Sequence, residues 1–354
     1  PPPPPLPLRR PPPPASRASL RRQRQMCIRD SPVGELKLSD LRYHEQAIPA
    51  LEQGQFLVQV QYLGLEPAMR GWMENRSDYV APLCIGDVMR SFGVGVVVHS
   101  LHPDYPEGTE VSGTFGMQTF AVANAIDYPV TIIDPAIDPV TFISVLGITG
   151  LTAWCGMDEI GRPAVGDTVV VSGAAGATGS IAGQIAHLAG ARVIGIAGSD
   201  QKCAWLTGEL GFAAAINYRE QDVAVRLSAL CPDGIDLYWD NVGGDMLDIA
   251  LERLALRARV VICGGISRYN ATTPLPGPKN YFNLVYKNAL MQGFVVSHYR
   301  HRFGDALAWL KTHLLSGEIK HREDILDGFE RTPEALMRLF AGENIGKQLV
   351  RVRQ

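Results

Sequence analysis

Two rhythms of apolar and polar residues divide the chain near residue 150. Before that point apolar residues alternate with polar ones in short runs. Phe56–Leu63 (FLVQVQYL), Val94–His99 and Glu110–Phe115 show it best, with Gly, Pro and Asp between them. A period of two predicts half-buried strands joined by turns, so this region is mostly β. After residue 150 the runs are apolar throughout. Thr168–Ser172 (TVVVS), Arg192–Ala197 (RVIGIA), Ile235–Asp240 (IDLYWD), Arg259–Cys263 (RVVIC) and Met291–Val296 (MQGFVV) predict strands. Helical patterns fall between them at Ser180–Ala189, Gln201–Leu210, Asp245–Leu254 and Tyr281–Asn288. Strands apolar on both faces, alternating with helices, predict an α/β fold built on a doubly wound parallel sheet. Two further helices, Phe303–Leu315 and Pro333–Ala341, precede a last strand at Lys347–Val352. That strand is expected to return to the β-rich region.

Residues 1–31 follow neither rhythm. They hold ten prolines and no periodic apolar pattern, so they are expected to form a disordered, polyproline-like leader. A transit peptide, or read-through sequence ahead of an internal start at Met26, are the other readings of this segment. It is set aside from the predicted fold.

Composition narrows the function classes. A length of 354 residues suits about two domains. With 46% hydrophobic and 19% charged residues the chain can bury a large core. A net charge of −3 argues against a nucleic-acid partner. Charge is unevenly spread, because residues 1–30 carry seven arginines and one acid, Asp30. The six cysteines stand far apart with no C-x-x-C pair, which predicts reduced thiols and a cytoplasmic setting. Neither they nor the eight histidines show metal-ligand spacing, so no metal is expected. Thr168–Ala186 runs nineteen residues without a charge. Its four glycines break it into strand, turn and helix, so it does not predict a membrane span. No apolar stretch near the start suits a signal peptide.

The candidate chemistry begins where the first apolar strand ends. VVVSGAAGATGSIAGQIA places a dinucleotide fingerprint on Ala174, Gly176 and Gly179, with Ala in the first glycine position. Gly176 lets the backbone approach a pyrophosphate, Gly179 lets helix and strand pack closely, and the helix N-terminus offers amides and a dipole. NAD sites usually carry an acid at the end of the second strand, to take the ribose 2′-hydroxyl. This chain has Gly198 and Ser199 there, with Lys202 close behind. Space plus a cation favours a 2′-phosphate, hence NADP(H). Asp200 is expected to face outward on the first turn of the helix.

SGAAGATGSIAGQIA, AGSDQKCAWL, INY, DNVGG, CGGISRYN, GPKNY, GFVV and GENIGK occur in this order between about Pro32 and Arg353. Together they resemble the zinc-free branch of the medium-chain dehydrogenase/reductase superfamily. That branch holds the prostaglandin reductases, plant alkenal double-bond reductases and bacterial curcumin reductase. The resemblance implies a GroES-like catalytic domain over residues 32–149 and a Rossmann NADP-binding domain over 150–297. Residues 298–354 would then return to the catalytic domain. It gives Gly176, Ala177, Thr178 and Gly179 to the pyrophosphate, and Lys202 and Tyr218 to the 2′-phosphate and adenosine, with Ser199 the small cofactor-site residue beside them. Asn241 would anchor a ribose or the backbone. Cys263, Gly264, Ile266, Ser267 and Tyr269 would form the loop over the nicotinamide ribose. Phe294, Val295 and Val296 would face the nicotinamide, with Asn344 a late contact. A homodimer joined near Leu290–Val296 is also implied.

The resemblance further implies an NADPH-dependent reductase of the carbon–carbon double bond in α,β-unsaturated ketones or aldehydes. Tyr269 is the candidate donor to the carbonyl oxygen. Quinone reduction and non-catalytic NADPH sensing are the rival readings. One departure bears on substrate. Many relatives read D-P-Y-M-R where this chain reads Glu66-Pro67-Ala68-Met69-Arg70, so Ala68 removes a ring and a hydroxyl from the expected pocket.

Overall fold

A computed structural model describes residues 22–74, 80–126 and 129–352. The first strand, β1 (Arg22–Ile28), lies inside the segment expected to be disordered, and it pairs antiparallel with β2 (Leu41–Ala47). Met26, Cys27 and Ile28 are all buried. The other side of β1 is bonded as well. The Met26 amide donates to the Met117 carbonyl, the Ile28 amide to Asp87, and the Met89 amide to Met26, each at 2.9 Å. The expectation of a disordered leader over 1–31 is thus overturned for its last third. Partners distant in sequence order this strand, and the composition of the prolines before it carries no trace of them. Residues 1–21 of the expected leader lie outside the described residues.

The β-rich region continues through β3 (Phe56–Gly64), β4 (Phe92–Ser100), β5 (Glu110–Thr114), β6 (Phe120–Ala123) and β7 (Thr131–Ile132). The α/β region holds β8 (Thr168–Val171), β9 (Arg192–Ala197), β10 (Ala214–Asn217), β11 (Ile235–Asp240), β12 (Leu254–Ile262) and β13 (Leu290–Gly293). Its six strands are parallel, in the order β10-β9-β8-β11-β12-β13. The order reverses between β8 and β11. Ligands of doubly wound sheets bind at such a reversal, beyond the carboxyl ends of the strands. β13 ends at Gly293, so Phe294–Val296 leaves the sheet instead of extending it, and the helix expected over Tyr281–Asn288 contracts to Asn283–Tyr286.

The chain then comes back. β14 (Glu323–Asp327) pairs with β15 (Lys347–Arg351), and β15 pairs antiparallel with β3, Leu349 opposite Gly64. A seven-stranded sheet results, in the order β14-β15-β3-β4-β5-β7 with β6 beside β3.

Between the two sheets runs the helical stretch Pro139–Gly161. By length and a mean hydropathy of 1.6 it could cross a membrane, yet 72% of its apolar window is buried inside the protein. Phe142, Leu146, Trp154 and Ile160 share one apolar cluster with Val169 of the parallel sheet and Leu349 of the other. Its hydrophobicity joins the two halves.

Candidate functional site

A cavity of about 1100 Å³ follows the crevice from the reversal point to the antiparallel sheet. One end is built by the turn after β8. Gly176 caps the helix Ala177–Leu188, and Gly176, Ala177, Thr178 and Gly179 all line the cavity. A Cβ on Gly179 would run into the Gly173 carbonyl and sit 3.0 Å from the Ala174 Cα. Only glycine lets the helix start this close to the strand.

At the tip of β9, Lys202 is 9% exposed and its Nζ donates to the Gly342 carbonyl at 2.7 Å. Burial and the nearby Arg219 lower its pKa, and Asp324 opposes them. Arg219 itself donates to the Ala341 carbonyl at 2.9 Å, so two cations flank the Ala341–Gly342 corner. Tyr218 lines the cavity beside them. Asp200 is exposed, and its carboxylate accepts from the Asn217 amide at 2.8 Å. Asp200 does not line the cavity, whose wall at the β9 tip is Ala197, Gly198 and Lys202. Ser199 stands at the β9 tip without lining the cavity. Its hydroxyl caps the helix Asp200–Gly208 by accepting from the Lys202 amide, so it positions Lys202.

The floor is held by β11. Asp240 is fully buried, and burial raises its pKa. It accepts from the Ser172 hydroxyl at 2.8 Å, the Gly243 amide at 3.0 Å and the Val242 amide at 3.1 Å. Asn241 donates from Nδ2 to the Ser172 carbonyl at 2.7 Å and accepts from Trp239 Nε1 at 3.1 Å. Both residues tie the β11 loop to the glycine-rich turn, and Asn241 lines the cavity as well.

Beyond β12, Cys263, Gly264, Ile266, Ser267 and Tyr269 all reach the cavity. Burial pushes the Cys263 thiol up to about 12, so it is a poor nucleophile. The Gly265 amide donates to the Tyr269 hydroxyl at 3.3 Å, which fixes the ring over the loop. Phe294, Val295 and Val296 line the opposite wall, with Phe294 edge-on to Trp239 at 6.0 Å between ring centroids.

The antiparallel sheet supplies the far end, where Ala68, Trp72 and Phe92 face the cavity. Several contributors there escaped the sequence reading. Glu66 lines the cavity and forms a buried ion pair with Lys347 of β15. The Gly346 amide donates to the Ala175 carbonyl at 2.8 Å, which ties the return segment to the glycine-rich turn. Gly346 holds a positive φ of 69°, the left-handed region that favours glycine. Asn344 is buried next to it and donates to its carbonyl at 2.9 Å. GENIGK was visible as a motif, but its part in closing the cavity needs the return of β15.

A glycine-capped helix aimed at a crevice, with a buried lysine at the next strand tip and no acid lining the cavity there, fits a dinucleotide carrying a 2′-phosphate. The fold and site define a dinucleotide-dependent oxidoreductase of two domains. Comparisons with known proteins agree. Residues 24–129 match the family described as the N-terminal domain of oxidoreductase, and residues 177–312 that described as zinc-binding dehydrogenase. The chain is 36% identical over 337 residues to an NADPH-dependent curcumin reductase of Escherichia coli (strain K12), covering 94% of this chain and 97% of the relative. It is 37% identical over 293 residues to an NADP(+)-dependent 2-alkenal reductase of Nicotiana tabacum, covering 82% and 85%. The crystal structure of CurA from Vibrio vulnificus in complex with NADPH superposes with a TM-score of 0.88 at 37% identity, covering 94% and 99%. The chain belongs to the medium-chain dehydrogenase/reductase family of oxidoreductases, in the branch of these reductases. Despite the second family description, no three His, Cys, Asp or Glu side chains gather as metal ligands among the described residues.

Proposed function

We propose that this enzyme is an NADPH-dependent reductase of the carbon–carbon double bond in α,β-unsaturated ketones and aldehydes, working without zinc. The observation that carries the reading is the continuity of the cavity. It joins the Lys202 end, the Tyr269 loop and an apolar lobe at Trp72 and Phe92. The glycine-rich turn and helix N-terminus would hold the pyrophosphate, and Lys202 and Tyr218 the 2′-phosphate end. Bound NADPH supplies a hydride to the β-carbon of the double bond. Tyr269 meets the carbonyl oxygen as negative charge builds there, its phenolic hydroxyl acting as the hydrogen-bond donor. The α-carbon takes its proton from Tyr269 or from water. Val295 and Phe294 screen the reacting face from solvent.

The wider expectations enter this reading too: a cytoplasmic protein with no nucleic-acid or membrane partner, acting as a homodimer through the edge strand β13. Exposed Tyr281, Phe282 and Leu290 near that strand support the last point.

NADPH consumption against a panel of enones, enals and a quinone, with and without a strong zinc chelator, tests the proposal. Enone turnover that survives chelation is the expected result. Reduction of the quinone alone would move the enzyme to the quinone reductases, and no turnover of any acceptor would make it a cofactor-binding protein.

A further inference from the structure

β3 ends at Gly64, and its pairing with β15 runs on to one further bond, from the Leu65 amide to the Gln348 carbonyl at 3.1 Å. The chain then turns away through Glu66, Pro67 and Ala68 into the short helix Met69–Trp72, and Ala68 and Trp72 line the substrate end of the cavity. Proline has no amide with which to continue a sheet. The tie to β15 is continued instead by a side chain, the Glu66 carboxylate, which pairs with Lys347. With side-chain exposures of 12% and 2%, it is the most buried ion pair among the described residues. Gly64 makes room for it, since a Cβ there would sit 3.4 Å from Lys347 Cε and 3.1 Å from Ile143 Cδ1.

The chain before Lys347 leads to the cofactor end. Gly346 donates its amide to the Ala175 carbonyl at 2.8 Å, and Ala175 precedes Gly176 in the glycine-rich turn. Lys347 thus stands between that turn, one residue away through Gly346, and the substrate lobe, reached through Glu66. A buried ion pair adds little stability over an apolar pair of similar size, because the loss of hydration offsets most of the attraction. What it adds is direction and a set length. That suits a link between two parts of a site whose spacing matters, for an error of about 1 Å in placing reacting atoms can slow a step about 100-fold.

We propose that Glu66 and Lys347 are positioning residues. Their ion pair sets the distance between the glycine-rich turn and the lobe at Ala68 and Trp72, and so aligns an acceptor for hydride transfer while taking no part in the chemistry. The proposal rests on the reductase reading of the cavity and adds the residues that hold its two ends in register.

The test is the double variant Glu66→Met/Lys347→Met, in which two unbranched apolar side chains replace the pair. Thermal denaturation should show stability near that of the wild type, as apolar replacement of a buried pair usually allows. Two readouts then separate positioning from support of the fold. The first is amide hydrogen exchange. NADP⁺ added to the wild type should slow exchange both in the turn at 173–179 and in residues 65–72. In the double variant it should slow exchange in the turn alone. The second is single-turnover oxidation of NADPH at a saturating enone, which should slow by about ten-fold or more in the double variant, with NADPH affinity nearly unchanged. Glu66→Met and Lys347→Met alone should each cost about as much as both together, because losing either end breaks the link. Glu66→Asp, which keeps the charge, should restore most of the rate. Should the double variant not fold, Glu66→Gln keeps the shape without the charge and should show both effects to a smaller degree. A hydride step at wild-type speed without the pair overturns the proposal. So does protection of 65–72 that persists in the double variant or is missing in the wild type. The exchange readout needs no acceptor, so it decides the proposal even if no enone is reduced, an outcome that would count against the reductase reading instead.

Discussion

The ammonium of Lys202 donates to the backbone carbonyl of Gly342, 2.7 Å away, and so joins the tip of the second parallel strand to the segment returning to the other domain. In the proposed reading the lysine meets the 2′-phosphate, and its pKa is lowered by burial and by Arg219. A phosphate dianion reverses both effects. NADPH should therefore bind about ten-fold or more tighter than NADH, a difference of about 1.4 kcal/mol. Lys202→Ala should remove most of that difference and leave NADH binding nearly unchanged. Titration of both cofactors by fluorescence checks this, and equal affinities in the wild type would refute it.

Tyr269→Phe keeps the ring over its loop and removes the hydroxyl. If that hydroxyl stabilises charge on the carbonyl oxygen, kcat with an enone should fall by about 10²–10³, with a smaller change in NADPH affinity. Steady-state kinetics with a simple aryl enone give the answer. Near wild-type kcat in the variant would return the donor role to water.

At Ala68 the open lobe should favour bulky aryl enones over short alkenals. Ala68→Tyr places a ring in that space and should shift the preference toward the smaller substrates, read as a ratio of kcat/KM values. An unchanged ratio would mean that the lobe does not hold the substrate tail.

Met26 is 4% exposed in the strand that the sequence reading had set aside. Met26→Ala should cost about 2–5 kcal/mol, as buried methionines do. Urea denaturation is the measurement, and a loss within about 0.5 kcal/mol would show that the strand adds little.

Cys263 faces the cavity with a thiol pushed up to about 12 by burial. At pH 8 only about one part in ten thousand is thiolate, and the thiolate is the reactive form. Raising the pH increases that fraction ten-fold per unit. Iodoacetamide at pH 8 should therefore reach the exposed Cys84 first and spare Cys263 and activity. Peptide mapping that found Cys263 alkylated early, with loss of turnover, would contradict this.

The parallel sheet was legible because TVVVS, RVIGIA and IDLYWD are unbroken apolar runs between helical patterns, the form that a strand covered on both faces must take. β10 was not. Its AAIN is short and poor in β-branched residues, and only pairing with β9 makes it a strand. β1 reads Arg-Gln-Arg-Gln and then Met-Cys-Ile, with no alternation to mark a strand, and its pairing with β2 is what orders it. In the site, Gly176, Gly179 and Lys202, which line the cavity, were read from local spacing, and the other candidates came through the motifs that carry the resemblance. Glu66, Arg219 and Gly346 were not read, since each matters through a neighbour far along the chain. Ser199 stands in a legible motif, but that its side chain caps its own helix shows only in the structure.

The pairing of β15 with β3 makes the antiparallel domain discontinuous, with the whole parallel sheet inserted between its parts. During synthesis the cofactor-binding sheet can form as soon as its own strands have emerged. The other domain must wait, with part of one edge of β3 open, until β15 has been made. Glu66 stays without Lys347 and the glycine-rich turn without Gly346 through the same interval. A chain stalled before residue 347 would thus hold a formed nucleotide crevice beside an unfinished substrate lobe, and β15, made long after β3, is the strand that closes the site.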